Sequence, residues 1–111
     1  MSEEHEHEHG HDHNSHLFVM LIFNFAQLAM VNLGKIANPE THETKVDLQG
    51  ARYFIDSLVM LREKSKGNLS KEESDLLDDQ IAMLQMNYAE TAEDAKKEEK
   101  KEDPSETPKS E

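Results

Sequence analysis

The chain has no cysteine. That excludes a disulfide framework, a thiolate nucleophile and any cysteine-ligated zinc or iron–sulfur centre. Basic residues are scarce, with 12 Lys and Arg against 24 Asp and Glu for a net charge of −12. Such an acidic chain is poorly suited to electrostatic capture of nucleic acid or an anionic membrane. Glycine is sparse, and Gly10, Gly34, Gly50 and Gly67 stand apart, so no glycine-rich phosphate loop is available. No Lys or Arg precedes Leu17, which leaves Met1–His16 without the basic start of a signal peptide. No HExxH sequence, no recognisable Ser–His–Asp spacing and no paired-carboxylate signal occurs. The chain therefore reads as a non-enzyme, expected in the cytoplasm and requiring no cofactor.

The apolar residues concentrate between Leu17 and Thr91, flanked by two charged ends. Residues 1–16 carry −5, the middle −4 and residues 92–111 carry −3. The ends lack the apolar surface needed to offset chain ordering and read as disordered tails. The expected organisation is an acidic His-rich tail over 1–15, a three-helix domain over 16–92 and a charged tail over 93–111.

Within the domain, Leu17–Leu33 (LFVMLIFNFAQLAMVNL) lacks Gly and Pro and is rich in good helix formers. It predicts a helix over 16–33, with Ser15 as N-cap and Gly34 as the stop. Placed at 100° per residue, its apolar side chains go nearly all the way round, interrupted by His16, Asn24, Gln27 and Asn32. Such a helix requires neighbours on every side, or lipid. A span of 17 residues covers ~25 Å, short of the ~30 Å hydrocarbon core, and the three amides further disfavour a membrane. Those amides are expected to bond across helices, to fix register in a self-association, or to face solvent.

Lys35–Val46 reads as a polar loop around Asn38-Pro39. Asp47 predicts the N-cap of a second helix over 48–66, whose apolar row is Leu48, Ala51, Phe54, Ile55, Leu58, Val59 and Leu61. Gly67-Asn68 ends it. Ser70-Lys-Glu-Glu73 is a capping box that opens a third helix over 71–92, with the row Leu77, Ile81, Leu84 and Tyr88 flanked by Leu76 and Met83. The short connection makes helices two and three an antiparallel hairpin. Glu93–Lys101 has the composition of a salt-bridged extension that Pro104 and Pro108 stop.

Several segments combine into a family resemblance. They are Leu33-Gly34-Lys35-Ile36-Ala37-Asn38-Pro39-Glu40-Thr41, Ile55-Asp56-Ser57-Leu58-Val59-Met60-Leu61, Lys64-Ser65-Lys66-Gly67-Asn68-Leu69, Leu76-Leu77 and Tyr88. Together they resemble a small bacterial family known as domain of unknown function 1844. The resemblance implies a compact helical protein of bacterial origin. It supplies no activity, cofactor or catalytic residue.

The candidate chemistry is modest. His5, His7, His9, His11 and His13 alternate with Glu6, Glu8 and Asp12, an array of imidazoles and carboxylates suited to Zn²⁺ or Ni²⁺. Against this stands the reading of a solubilising tail. His42 reads as an exposed loop residue. Arg52 and Asp56 form an i, i+4 pair on the helix surface. Arg62 falls inside the apolar arc and is expected to snorkel, or to meet Asp75 or Asp78. The acids Glu72, Glu73, Asp75, Asp78 and Asp79 suit a helix N-terminus better than calcium, which requires a loop with a glycine turn. Tyr53 and Met60 share the outer face of helix two as a small contact patch.

Three functional readings remain. The first is a non-enzymatic interaction module, a homo-oligomer that also contacts another protein and closes the open side of helix one with a second chain. On this reading one side of Phe18, Ile22, Phe25 and Ala29 is the face left in water unless the Lys35–Val46 loop folds back and covers it with Ile36 and Val46; the wheel alone does not select the arc that meets the second chain. The second is metal handling by the N-terminal tail. The third is membrane association through residues 17–33.

Overall fold

The computed structural model describes the backbone of residues 2–106 and the side chains of residues 13–98. Its elements are α1 (Ser2–Asn32), α2 (Leu48–Lys64) and α3 (Lys71–Glu106). The fold is all-α, and an isolated antiparallel bridge between Leu33 and Val46 is the only β-type pairing among the described residues.

Local chemistry explains the inner helix ends. Asp47 is extended (φ −135°, ψ 90°), and its carboxylate accepts from the Gly50 N–H at 3.1 Å, as an N-cap should. At the start of α3 the capping box is reciprocal. The Glu73 N–H donates to Ser70 Oγ at 3.1 Å, and the Ser70 N–H donates to Glu73 Oε1 at 2.9 Å. Gly34 (φ 75°) and Gly67 (φ 85°) take left-handed backbone where the chain leaves α1 and α2. α2 ends at Lys64, two residues before the expected limit, where Ser65 leaves helical dihedrals (φ −99°, ψ 5°) and its hydroxyl bonds to the Leu61 carbonyl at 2.6 Å.

The outer helix ends lie beyond the sequence boundaries. α1 begins at Ser2 rather than His16, and α3 reaches Glu106 rather than residue 92, passing Pro104 by two residues. Ser15 is therefore not an N-cap but an interior residue of α1. Ser2–His16 contains no proline or β-branched residue, and its acids favour the positive end of the helix dipole. Residues 93–102 are almost entirely Ala, Glu and Lys, which are strong helix formers.

The three helices pack pairwise as an up-down-up bundle. The loop over 33–47 reverses α1 into α2, and the turn over 65–70 reverses α2 into α3. α1 and α3 consequently run side by side in the same direction. Ser15 meets Glu73 at one end of their contact, and Lys35 lies 3.9 Å from Glu90 at the other. The core comprises Ile22, Ala26 and Ala29 of α1, Ile55 and Leu58 of α2, and Leu77, Ile81 and Leu84 of α3. Phe54, Val59, Leu61, Leu76, Met83 and Tyr88 pack around it half-buried, so the periodic rows of the second and third helices are the core rows. Phe25 meets Phe54 edge-on with ring centroids 5.8 Å apart.

The connection between α1 and α2 is built on Asn38. Its side-chain oxygen accepts from the N–H groups of Glu40 (2.7 Å) and Thr41 (3.3 Å), and its own N–H donates to the Glu43 carbonyl at 2.9 Å. At the base of the loop the Asp47 N–H donates to the Asn32 carbonyl at 2.7 Å.

Candidate functional site

The side of α1 turned away from α2 and α3 is the most distinctive surface of the molecule. The inner arc is closed: Ile22 and Ala29 are each 0% exposed. The outer arc carries Leu17, Leu21, Asn24, Leu28 and Val31. Their spacings of four, three, four and three keep them on a single stripe, the 3.5-residue repeat of a coiled-coil seam. Leu17 is 53%, Leu21 38% and Leu28 42% exposed, with Met20 also exposed beside them and Phe23 exposed further round the helix. The cause is geometric, since two neighbouring helices cover one side of a cylinder and leave the other open.

This arrangement corrects the expected open arc. Ile22 and Ala29 are core residues, and Phe18 and Phe25 pack against the core. The water-facing arc is instead the Leu17–Val31 stripe. The α1–α2 loop does not roof it, because Ile36 and Val46 are themselves exposed. Over the C-terminal half of the stripe the loop forms a side wall. Asn24, Gln27, Leu28 and Val31 face Asn38, Pro39 and Glu40 across an open groove of about 550 Å³.

The three amides separate in role. Asn24 and Gln27 are exposed on the outer arc and make no hydrogen bond among the described residues. Asn32 donates from Nδ2 to the Leu28 carbonyl of its own helix at 3.0 Å. No amide of α1 bonds across to α2 or α3 among the described residues.

The remaining candidates lie on the surface. His13 is exposed; His5, His7, His9 and His11, the other members of the proposed metal set, have side chains outside the described residues. Among the described residues no three His, Asp or Glu side chains converge to hold a metal ion. His42 is exposed with φ 61°, its N–H donating to the Asn38 carbonyl at 2.7 Å. Arg52 pairs with Asp56 at 3.6 Å, and Arg62 bridges to Asp78 on α3 at 3.2 Å. Asp75 accepts from Lys71 at 3.0 Å, and this hydrogen bond and charge raise the lysine pKa above its ordinary 10.5. Tyr53 and Met60 are exposed as expected, Tyr53 lying edge-on to Phe54 at 5.1 Å.

One contact had no signal in the sequence. The Ser15 hydroxyl donates to Glu73 Oε2 at 2.5 Å, across 58 residues of chain. Glu73 reads as a capping residue from its position alone, and only the packing of α1 beside α3 brings Ser15 to it.

By length and composition His13–Asn32 is also able to cross a membrane, with 17% of that window buried inside the fold. Among curated proteins and among solved structures, nothing matches the chain. A family model described as Domain of unknown function (DUF1844) matches residues 15–90, which take in the outer stripe, all of α2 and the loops on either side of it. The chain belongs to this family.

Proposed function

We propose that the protein is a non-enzymatic interaction module that self-associates through the outer arc of α1. The observation that carries this reading is the stripe Leu17, Leu21, Asn24, Leu28 and Val31, apolar but for one amide, open to water from Leu17 to Leu28 and half-buried at Val31, on a helix whose opposite side is core. With its flanking Met20 it leaves on the order of 300 Å² of apolar surface in solvent, the size of the largest patch on many soluble proteins, which is often a contact site. Covering the stripe with the same stripe of a second copy removes ~600 Å² of apolar surface from water. At ~25 cal/mol/Å² this amounts to about 15 kcal/mol before association costs of about 4–15 kcal/mol. The net charge of −12 supports protein partners over nucleic acid.

A second reading, insertion of α1 into a bilayer, is favoured by the length and composition of His13–Asn32. It is opposed by Asn24 and Gln27 on the face that would meet lipid and by the absence of a basic flank, no Lys or Arg preceding Leu17.

Sedimentation equilibrium on the full chain, up to ~100 μM, tests the first reading well above a micromolar dissociation constant. The wild type is expected above monomer mass. Leu21→Glu and Leu28→Glu, made separately, are expected to return it towards monomer with unchanged helical circular dichroism. A wild type that stays monomeric over the whole range refutes the proposal. Flotation with phosphatidylcholine–phosphatidylglycerol vesicles provides the other arm. Protein remaining below the vesicles is expected, and co-flotation would replace self-association with the membrane reading.

A further inference from the structure

Resting on self-association through this stripe, we infer that the second copy lies antiparallel, with the two-fold axis crossing between Leu21 and Asn24. Successive positions of the stripe alternate as the two seam positions of a coiled coil, and in an antiparallel pair each layer joins one type to the other. The alignment that buries the stripe then sets Leu17 against Leu28 of the second copy, and Leu21 against Asn24 of the second copy. At the flanks Leu17 meets Leu28 twice, once on each side of the axis. The two Asn24 amides, which make no hydrogen bond among the described residues, approach each other diagonally across the axis and supply each other's partner.

Two observations select this direction over the parallel one. The first is charge. Residues 1–16 carry Glu3, Glu4, Glu6, Glu8 and Asp12 with no Lys or Arg. A parallel pair lays two segments of charge −5 side by side, within the ~8–10 Å over which salt does not screen them. The antiparallel pair sends them to opposite ends, each beside a segment of the other copy, residues 33–47, that carries only −1 (Lys35 and Lys45 against Glu40, Glu43 and Asp47), and it opposes the two α1 dipoles favourably. The second is the wall. Asn38, Pro39 and Glu40 border the stripe only beside Asn24, Gln27, Leu28 and Val31. Antiparallel docking places the unwalled half of each copy, Leu17 to Leu21, into the walled groove of the other. Its volume of about 550 Å³ has room for both leucine side chains. Parallel docking puts wall beside wall and leaves the two unwalled halves facing each other at the acidic end.

The absence of native cysteine makes the direction readable by cross-linking. Leu17→Cys and Leu28→Cys are prepared as separate full-length proteins, mixed in equal amounts and oxidised. Leu17 and Leu28 stand 11 residues apart, ~16 Å along the helix, so the two geometries do not overlap. The expected product is the mixed disulfide dimer in several-fold excess over either homodimer, with each variant alone giving little dimer. Leu21→Cys mixed with Asn24→Cys is the second pair, and circular dichroism of the reduced proteins verifies that all four variants fold. Homodimers from Leu17→Cys alone and Leu28→Cys alone overturn the antiparallel assignment while leaving self-association intact. A sedimenting dimer that neither pair cross-links overturns it as well, by placing the contact off this stripe. A wild type that sediments as monomer refutes the underlying reading.

Discussion

The hydroxyl of Ser15 on α1 donates 2.5 Å to the carboxylate of Glu73, whose other oxygen accepts the Ser70 N–H at the start of α3. One side chain thus caps a helix and fastens that cap to a neighbouring helix. Glu73 is 8% exposed, so its hydrogen bonds form with little competition from water. Glu73→Ala is expected to lower unfolding free energy by about 2 kcal/mol through loss of both the cap and the interhelical bond, and Ser15→Ala by ~1 kcal/mol. Urea denaturation followed at 222 nm measures both. Equal, negligible losses would show that the cluster does not contribute to stability.

Leu58 is the most central residue of α2, fully buried against α1 and α3. Leu58→Ala is expected to destabilise the bundle by roughly 2–4 kcal/mol through cavity formation. Met60→Ala, two residues away on the exposed face, is expected to stay within about 0.5 kcal/mol. The pair separates core loss from loss of helix propensity, since both replacements introduce alanine.

Gly34 and Gly67 share left-handed backbone but not surroundings. A Cβ on Gly34 would fall 2.9 Å from Cγ2 of Val46, whereas one on Gly67 meets nothing within 4 Å. Gly67→Ala is expected to lose ~1 kcal/mol, the usual strain of a left-handed alanine. Gly34→Ala is expected to lose more, because Val46 must also move. Thermal midpoints of the two variants give the order directly, and an inverted order contradicts the packing of Val46 on Gly34.

The alternating histidines predict divalent-metal binding that is separable from folding. Deleting residues 2–14 removes His5, His7, His9, His11 and His13 but keeps Ser15. The thermal midpoint of the metal-free protein is expected to stay nearly unchanged, since the deleted segment holds no apolar residue. Calorimetric titration with Ni²⁺ or Zn²⁺ is expected to lose its signal. Full binding by the deletion variant would reassign the site away from these histidines.

The legibility of this sequence follows contrast. Asp47, Ser70, Glu73 and Gly67 differ sharply from the apolar rows they bracket, so the inner limits of α2 and α3 are readable to within two residues. Those rows alternate with charge, and Leu58, Leu77, Ile81 and Leu84 could be assigned to the core. α1 has no such contrast. Ile22 and Leu21 are adjacent, equally apolar and on opposite fates, one at 0% and the other at 38% exposure. Only the positions of α2 and α3 distinguish them, and those are tertiary facts. The same holds for Arg62, whose choice of Asp78 over Asp75 depends on the pitch of the hairpin and on Lys71 engaging Asp75 first. The start of α1 escaped because Glu and His carry no stop signal, and the loss of apolar residues marks where the core ends rather than where the helix does; at the other end the extension over Glu93–Lys101 was legible, but α3 runs on past Pro104 to Glu106.

The Leu33–Val46 bridge and the bond from Asp47 to the Asn32 carbonyl join the two ends of the intervening loop. A loop whose base is closed in this way behaves as an Ω-shaped appendage, able to vary in length without changing where α2 starts. Its tip, around Thr41 and His42, is exposed. It is therefore a natural place to splice in a fluorophore-binding peptide or an epitope. A reporter there would hang beside the groove that Asn38, Pro39 and Glu40 wall, without entering the bundle, so its signal in a living cell would report on whatever occupies that groove.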